Sequence, residues 1–180
     1  TIVEAIAQVW LTTETKRPKQ LVCAPSNAAC NLITERLIKS LPKAKILRLF
    51  SYSADLSDVS ESILLHSNYD STSGWVIFPE LKKILEHDII IVTIMTAGRL
   101  VTGGAEGMFR YVYIDECGQA SEPESLVAIA GLITTRKRHI SGQLVMAGDP
   151  EQLGPVLSSQ LAIDFGLGIS FLERLMKHVD

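Results

Sequence analysis

Short apolar runs along the chain alternate with stretches in which hydrophobic residues recur at helical spacing. Five runs are strand-like because they are apolar and rich in β-branched or aromatic residues; they cover residues 20–24, 46–50, 88–93, 111–114 and 143–147. Helical spacing covers residues 1–11, 28–41, 78–87, 121–130, 161–165 and 171–177. Since strands that alternate with helices form parallel sheets, the pattern predicts an α/β fold with a parallel sheet flanked by helices.

Polar residues or glycines follow four of the predicted strands at the points where those strands end. They are Pro25, Ser26, Asn27, Thr93, Thr96, Asp115, Glu116, Gly148, Asp149 and Gln152. The carboxyl ends of parallel strands meet at one edge of a sheet, and open α/β sheets bind their ligands there. We therefore expect these residues to lie along one crevice.

Two adjacent carboxylates, Asp115 and Glu116, directly follow the fourth predicted strand. In a nucleotide hydrolase, carboxylates at this position divide two tasks: one holds Mg²⁺, usually through water, and the other positions and deprotonates the attacking water. Taken alone, the pair has a simpler explanation, in which Asp115 only caps the segment after the strand. A similar alternative applies to Ser26 and Asn27, since either is a natural N-cap for the following helix.

The composition is that of an ordinary folded domain, with 47% hydrophobic and 21% charged residues. The formal net charge of −3 argues against a large nonspecific basic surface, although backbone amides and hydroxyls can hold phosphates without bulk positive charge. The three cysteines lie among apolar residues and predict reduced thiols of an intracellular protein. No apolar run approaches the length of a membrane span. Residues 51–73 are rich in serine and aspartate and predict a surface insertion within the domain.

Residues 24–29, Ala-Pro-Ser-Asn-Ala-Ala, and residues 93–98 follow two of the predicted strands; residues 115–120, Asp-Glu-Cys-Gly-Gln-Ala, and residues 148–156 follow two others. In this order the four segments resemble motifs Ia, Ic, II (the Walker B element) and III of the first RecA-like domain of superfamily 1 helicases. The branch is that of the nonsense-mediated-decay helicase, and the likeness is greatest to the Armitage and Moloney-leukaemia-virus-ten type of RNA helicase. Motifs II and III in this order are specific. Cys117 stands where this branch usually carries alanine, a change that should leave the two carboxylates in place.

The resemblance implies a RecA-like P-loop NTPase core that uses ATP and Mg²⁺. It implies that Asp115 holds the metal through water, that Glu116 activates the attacking water and that Gln152 contacts the terminal phosphate. The set implied for ATP binding is Asp115, Glu116, Gly148, Asp149 and Gln152. The set implied for the backbone of single-stranded RNA is Pro25, Ser26, Asn27, Thr93 and Thr96.

The intact protein implied by the resemblance is an ATP-dependent RNA helicase that moves 5′→3′ on single-stranded RNA. The implied setting is RNA-mediated silencing or transposon control (the piRNA pathway) in the cytoplasm and its ribonucleoprotein granules, with silencing-pathway proteins as partners.

The sequence contains no G-x-x-x-x-G-K-[ST] loop, and the glycines of residues 102–107 lack that loop's lysine and hydroxyl residue. We therefore predict a partial first RecA-like domain over residues 1–180, without the Walker A segment and the second RecA-like domain. Alone it should be inactive, and it should self-associate through an exposed sheet position.

Two other functions fit the same residues. A helicase of superfamily 1 that acts on DNA, or on both DNA and RNA, is one, because contacts to the 2′-hydroxyl group cannot be read from these motifs. A non-catalytic RecA-like protein-interaction module is the other, and it predicts that the parent gene also lacks the phosphate-loop lysine. A coincidental acidic strand end fits less well, because it leaves the other polar strand ends unexplained.

Overall fold

The computed structural model describes residues 2–13, 17–133, 140–149 and 152–178. In chain order the strands are β1 (Gln20–Ala24), β2 (Ile46–Leu49), β3 (Tyr69–Asp70), β4 (Trp75–Val76), β5 (Ile89–Thr93), β6 (Tyr111–Ile114) and β7 (Gln143–Met146). Five of them form one sheet in the order β2-β5-β1-β6-β7, and every neighbouring pair in it is parallel. The remaining two, β3 and β4, pair with each other in antiparallel fashion.

The helices are α1 (Ile2–Thr12), α2 (Asn27–Ser40), α3 (Glu61–Leu64), α4 (Leu81–Ile84), α5 (Ile94–Thr102), α6 (Glu122–Ile129), α7 (Gln160–Asp164) and α8 (Phe171–Met176). Side chains alternate between the two faces of a strand, so each face of the sheet carries its own core. On one face, Val22 packs with α1 and α2; on the other, Leu21 and Cys23 pack with α5 and α6. The predicted α/β fold, a parallel sheet flanked by helices, is confirmed.

Two elements of the structure differ from the prediction. The sequence pattern predicts no helix directly after the third strand-like run, but α5 starts at Ile94 directly after β5. Its buried residues Ile94, Ala97 and Leu100 are spaced three apart, and the intervening polar residues hide this pattern. Gly98, which suggested a turn, instead allows close helix packing, because a Cβ there would lie 3.1 Å from Val127 Cγ1 of α6.

The helix predicted over residues 78–87 is also shorter, since α4 covers only Leu81–Ile84. Pro79 disfavours helical backbone in the residue before it, and Glu80 is extended, with φ −60° and ψ 147°. At the other end, the backbone N–H of His87 donates to the carbonyl oxygen of Ile84 at 3.1 Å. This tighter three-residue turn leads the chain into β5.

Residues 51–73 leave the sheet after β2 and return to its outer edge. The backbone N–H of Arg48 donates to His66 O at 2.7 Å, and the N–H of Asn68 donates to Arg48 O at 3.3 Å. The buried side chain of Asn68 bonds to both backbone groups of Phe50, accepting from its N–H at 2.7 Å and donating to its carbonyl oxygen at 3.2 Å. The segment therefore covers the edge strand β2, which would otherwise expose unpaired backbone groups.

None of the helices in the described ranges is both long enough and apolar enough to span a bilayer.

Replacing Asn68 with alanine should lower the free energy of unfolding by about 1–3 kcal/mol, because two buried backbone groups of Phe50 lose their partner. Urea denaturation of the 180-residue chain followed by circular dichroism measures the change. The matched control is Ser71→Ala, at an exposed position of the same segment, which should change stability by less than about 0.5 kcal/mol. Equal effects of the two substitutions would contradict this role of Asn68.

Candidate nucleotide and nucleic-acid site

Four polar segments begin side by side at the carboxyl edge of the main sheet. They follow β5, β1, β6 and β7, which are consecutive neighbours and parallel. At this edge the last paired residues are Ala24 with Thr93 and Ile114 with Met146. The side chains that sequence analysis selected are therefore carried by one edge rather than by opposite ends of the sheet.

Asp115 leaves β6 with its backbone still paired, since its N–H donates to Cys23 O at 2.9 Å. Its half-buried side chain lines a cleft of about 310 Å³. The lining residues come from α1, α2 and the ends of β6 and β7; they are Ile2, Val3, Ala29, Leu32, Ile33, Arg36, Asp115, Glu116 and Ala147. The charged side chains therefore lie in a cleft whose wall is mostly apolar.

Burial raises the pKa of the Asp115 carboxyl group, and the backbone N–H of Glu116 and the charge of Arg36 oppose this shift only in part. A carboxylate that is poorly hydrated in this way gains from a cation placed beside it. Carboxylate oxygens are the ligands that Mg²⁺ prefers, and Mg²⁺ usually keeps several waters and binds only one or two carboxylates. The described residues contain no cluster of three or more His, Cys, Asp or Glu ligands. The Asp115–Glu116 pair therefore fits Mg²⁺ held together with water and substrate oxygens.

Glu116 has left-handed backbone angles, φ 52° and ψ 32°, and within the described ranges no other residue except glycine has a positive φ. This conformation costs a residue with a side chain about 1–2 kcal/mol, and such strain clusters at functional sites. The next residues, Cys117–Gln119, form one 3₁₀ turn, and the N–H of Cys117 donates to Ala147 O at 2.9 Å. The Glu116 carboxylate accepts from Gln119 Nε2 at 3.1 Å. Contacts with β7 and within the turn thus hold the strained residue.

The turns after β6 and β7 touch through their backbones at two glycines. A Cβ on Gly148 would lie 2.9 Å from Gly118 N, and a Cβ on Gly118 would lie 3.0 Å from Asp149 O. Real Cβ atoms do not approach backbone as closely as 2.9 Å, so the contact requires glycine at position 148, and a side chain at position 118 would force Asp149 O to shift. The two glycines thus set the distance between the carboxylate turn and the loop after β7.

Gln152 lies in that loop with its side chain exposed. Its backbone N–H donates to Asp149 O at 3.2 Å and its Nε2 to Asp149 Oδ2 at 3.1 Å, so the two predicted phosphate-binding residues are linked. Gln152 does not line the cleft that contains Asp115. Pro150 and Glu151, which belong to the motif III segment, lie outside the described residues.

A second cleft, of about 300 Å³, lies between the turn after β1 and the loop after β7. Its lining residues are Pro25, Ser26, Gln119, Glu124, Leu153, Gly154 and Val156. Gln119 lines this cleft and also binds Glu116, so one side chain lies between the acidic pair and the turn predicted to contact RNA. The two clefts are therefore adjacent along the same edge.

The other residues predicted to contact RNA are partly engaged within the protein. Ser26 is the N-cap of α2 and accepts from Ala29 N at 3.1 Å, so the capping explanation holds for it. Thr93 Oγ1 donates to Thr96 Oγ1 at 2.9 Å, and Thr96 is buried. Asn27 Oδ1 accepts from Arg48 Nη2 at 2.7 Å. The structure thus brings Pro25 and Ser26 to a cleft, while the two threonines bond to each other.

The protein family described as an AAA domain matches residues 1–76 and 78–160. The chain belongs to this AAA domain family. MOV-10 of Gallus gallus is 47% identical over 182 residues, which cover 99% of the chain and 19% of MOV-10. RNA helicase Mov10l1 of Homo sapiens is 41% identical over 179 residues, which cover 98% of the chain and 14% of Mov10l1. The chain thus spans less than a fifth of either relative, and the resemblance to the Moloney-leukaemia-virus-ten type is confirmed.

A solved structure of T4 UvsW shares the fold of this AAA domain, with a TM-score of 0.51 and 14% sequence identity. The match covers 94% of the chain and 27% of UvsW. At this identity the likeness concerns the fold alone.

Three side chains of the AAA domain site were missed by the sequence analysis. Arg36 lines the carboxylate cleft, Gln119 links the two clefts and Arg48 holds Asn27. For Arg48 a signal exists, because a single arginine interrupts the apolar strand Ile46–Leu49. Arg36 and Gln119 carry no comparable signal, since a polar residue on an amphipathic helix or in a turn is ordinary.

Replacing Asp115 with asparagine should stabilise the ligand-free AAA domain at neutral pH by up to about 1 kcal/mol. The pKa of Asp115 is higher in the folded chain than in the unfolded chain, so the folded chain binds the proton more tightly. Above the folded pKa the carboxylate is charged, and holding this charge in the folded chain lowers the free energy of unfolding. The gain from asparagine should therefore shrink as the pH falls through the folded pKa towards 3.8, the ordinary value. Urea denaturation between pH 7 and pH 4 measures it.

The control for this substitution is Asp58→Asn, which changes an exposed carboxylate far from Asp115 in the sequence. It should leave the unfolding free energy nearly unchanged at every pH. A loss of stability in Asp115→Asn at pH 7 would show that the carboxylate is needed for the fold rather than held at a cost for binding.

Proposed function

We propose that this AAA domain is part of an ATP-dependent RNA helicase and supplies its metal-holding and water-activating carboxylates. The observation that carries the proposal is the Asp115–Glu116 pair, held in a mostly apolar cleft at the carboxyl edge of a parallel sheet. A buried carboxylate and a strained glutamate both cost stability, and a structural cap requires neither of them. The similarity to Mov10l1, which is named an RNA helicase, supports the choice of activity and substrate.

Within the proposed reaction, each carboxylate has one task. Asp115 would hold Mg²⁺ through water, and burial, which raises the pKa of its carboxyl group, makes a cation beside it favourable. Glu116 accepts a proton from the attacking water, and its bond from Gln119 Nε2 orients the carboxylate. Mg²⁺ bound together with the nucleotide would neutralise charge on the transferred phosphoryl group. Gln152 and Asp149 lie in the loop that follows the neighbouring strand β7, and they bond to each other.

RNA is proposed to lie along the turn after β1 and the start of α5, where the sequence resemblance places Thr93 and Thr96. Pro25 and Ser26 border an open cleft, and the N-terminus of the 14-residue helix α2 adds backbone N–H groups that suit phosphate oxygens. Gln119 joins this cleft to Glu116, which gives a short path by which nucleotide state could alter RNA binding. Movement 5′→3′, a role in RNA silencing or transposon control with silencing-pathway partners, and a cytoplasmic location are proposed from the sequence resemblance.

Replacing Glu116 with glutamine in the full-length protein should lower RNA-stimulated ATP hydrolysis at least about 100-fold while RNA binding persists, because glutamine cannot accept the proton. Phosphate release and fluorescence anisotropy with a single-stranded RNA measure the two properties. Glu86→Gln, at an exposed position before β5, is the matched control and should retain full activity.

The 180-residue chain alone should show no turnover, and metal-dependent turnover that Glu116→Gln abolishes in it would contradict this expectation.

Replacing Ser26 with aspartate should weaken RNA binding about tenfold, whereas Ser26→Asn should have a much smaller effect. Aspartate and asparagine are both good N-caps, so the two variants preserve the start of α2 and differ mainly in charge. Anisotropy with RNA, together with a matched DNA strand, also tests the substrate class. Equal RNA affinities for the two variants would place the RNA backbone away from this turn.

A further inference from the structure

The largest fully buried side chain in the described part of the chain belongs to a cation, Arg48, which is 0% exposed. It is also the only charged residue among the buried residues of the described ranges. Its guanidinium donates to Leu49 O at 2.6 Å, to Asn31 Oδ1 at 3.0 Å and to Asn27 Oδ1 at 2.7 Å. It also lies 4.2 Å from the centre of the Phe50 ring.

No carboxylate of the described residues pairs with Arg48, so its charge is held only by neutral oxygens and a ring. Burial of a charge without an opposite charge is costly, and burial lowers the pKa of the guanidinium. Apolar side chains in place of Arg48 and its asparagine partners could pack β2 against α2 without this cost. The arrangement therefore points to a use for the charge or for the groups that it orients.

The orientation of Asn27 follows from the chemistry of its partner. A guanidinium has only donors, so the Asn27 atom that faces Arg48 must be the amide oxygen. The amide nitrogen Nδ2 must then point away from Arg48. Asn27 is exposed and is the first residue of α2, directly after the N-cap Ser26. Because Asn27 is exposed, its two N–H donors are left for a group outside the protein.

We propose that Arg48 is a positioning residue, which fixes Asn27 so that its amide nitrogen donates to a phosphate of the RNA backbone. This inference rests on the proposed function, because it requires RNA at this turn. A phosphate oxygen only accepts hydrogen bonds and suits the Nδ2 group and the free N–H groups at the start of α2. The guanidinium, the amide and the phosphate then form one chain of hydrogen bonds, in which each bond strengthens the next.

The segment over residues 51–73 has a part in this arrangement. His66 and Asn68 bind the backbone of Arg48, and Asn68 also fixes the backbone of Phe50, whose ring lies over the guanidinium. These contacts exclude water from Arg48. Because a hydrogen-bond chain is stronger in a low dielectric, the segment increases the effect of Arg48 on Asn27.

The test uses the full-length protein and a single-stranded RNA that carries one neutral methylphosphonate at a time. Asn27→Asp keeps an oxygen for Arg48 but replaces the two N–H donors, so thermal stability should be equal or higher. Its affinity for unmodified RNA should fall about tenfold. One methylphosphonate position should weaken binding by the wild-type protein, and the same position should not weaken binding by Asn27→Asp.

Asn31→Asp is the matched control, since it makes the same chemical change beside the same arginine one helical turn further along α2. It should bind RNA within twofold of the wild type. A second variant, Arg48→Lys, keeps the charge but cannot hold both asparagines, and it should lose the effect of the same methylphosphonate. If it does not fold, Asn27→Asp with its control still decides the question.

Three results would overturn the proposal: unchanged RNA affinity in Asn27→Asp, an equal loss in Asn31→Asp, or a loss without any coupled methylphosphonate position. In each case the proposed helicase function stands as long as the wild-type protein binds RNA and Glu116→Gln loses hydrolysis. Absence of RNA binding by the wild-type protein itself would instead count against the proposed function.

Discussion

Parallel pairing of β1 with both β5 and β6 is the constraint on which the rest of the molecule depends. It places the carboxyl ends of the central strands at one edge, so residues far apart in the chain begin their turns side by side. Buried apolar side chains on both faces stabilise this pairing, and α1 and α2 on one side and α5 and α6 on the other cover them. Without it, the acidic pair and the turn after β1 would have no common surface.

Two features of the candidate site oppose stability and are tolerated because neighbouring elements enforce them. Glu116 keeps left-handed backbone angles because the following turn is bonded to Ala147 and packed through Gly118 against Gly148. Asp115 keeps a charge in a mostly apolar cleft, where Arg36 is the only basic residue among the described residues of the wall. Binding a cation and a nucleotide would offset both costs, which is the relation between stability and function expected of a catalytic edge.

Much of the fold could be predicted from local pattern, because the strands of the main sheet are mostly apolar runs, with Arg48 as an interruption in β2. The candidate carboxylates could be selected for the same reason, since they directly follow such a run. Prediction failed where a residue has a role in packing between elements. Gly98 looks like a turn residue but allows α5 to approach α6, and Asn68 lies in a polar segment but is buried under the edge of β2. Neither contact leaves a trace in the neighbouring sequence.

The sequence by itself determined the α/β class, the strand ends and the kinds of chemical group carried there, because hydrophobic period and local polarity are properties of short segments. Only the tertiary structure decided which of those groups meet. It joined Gln119 to both clefts and turned the amide oxygen of Asn27 towards Arg48. These outcomes depend on distances and hydrogen-bond directions between residues that are separated along the chain, and such directions exist only once the sheet and its helices have packed.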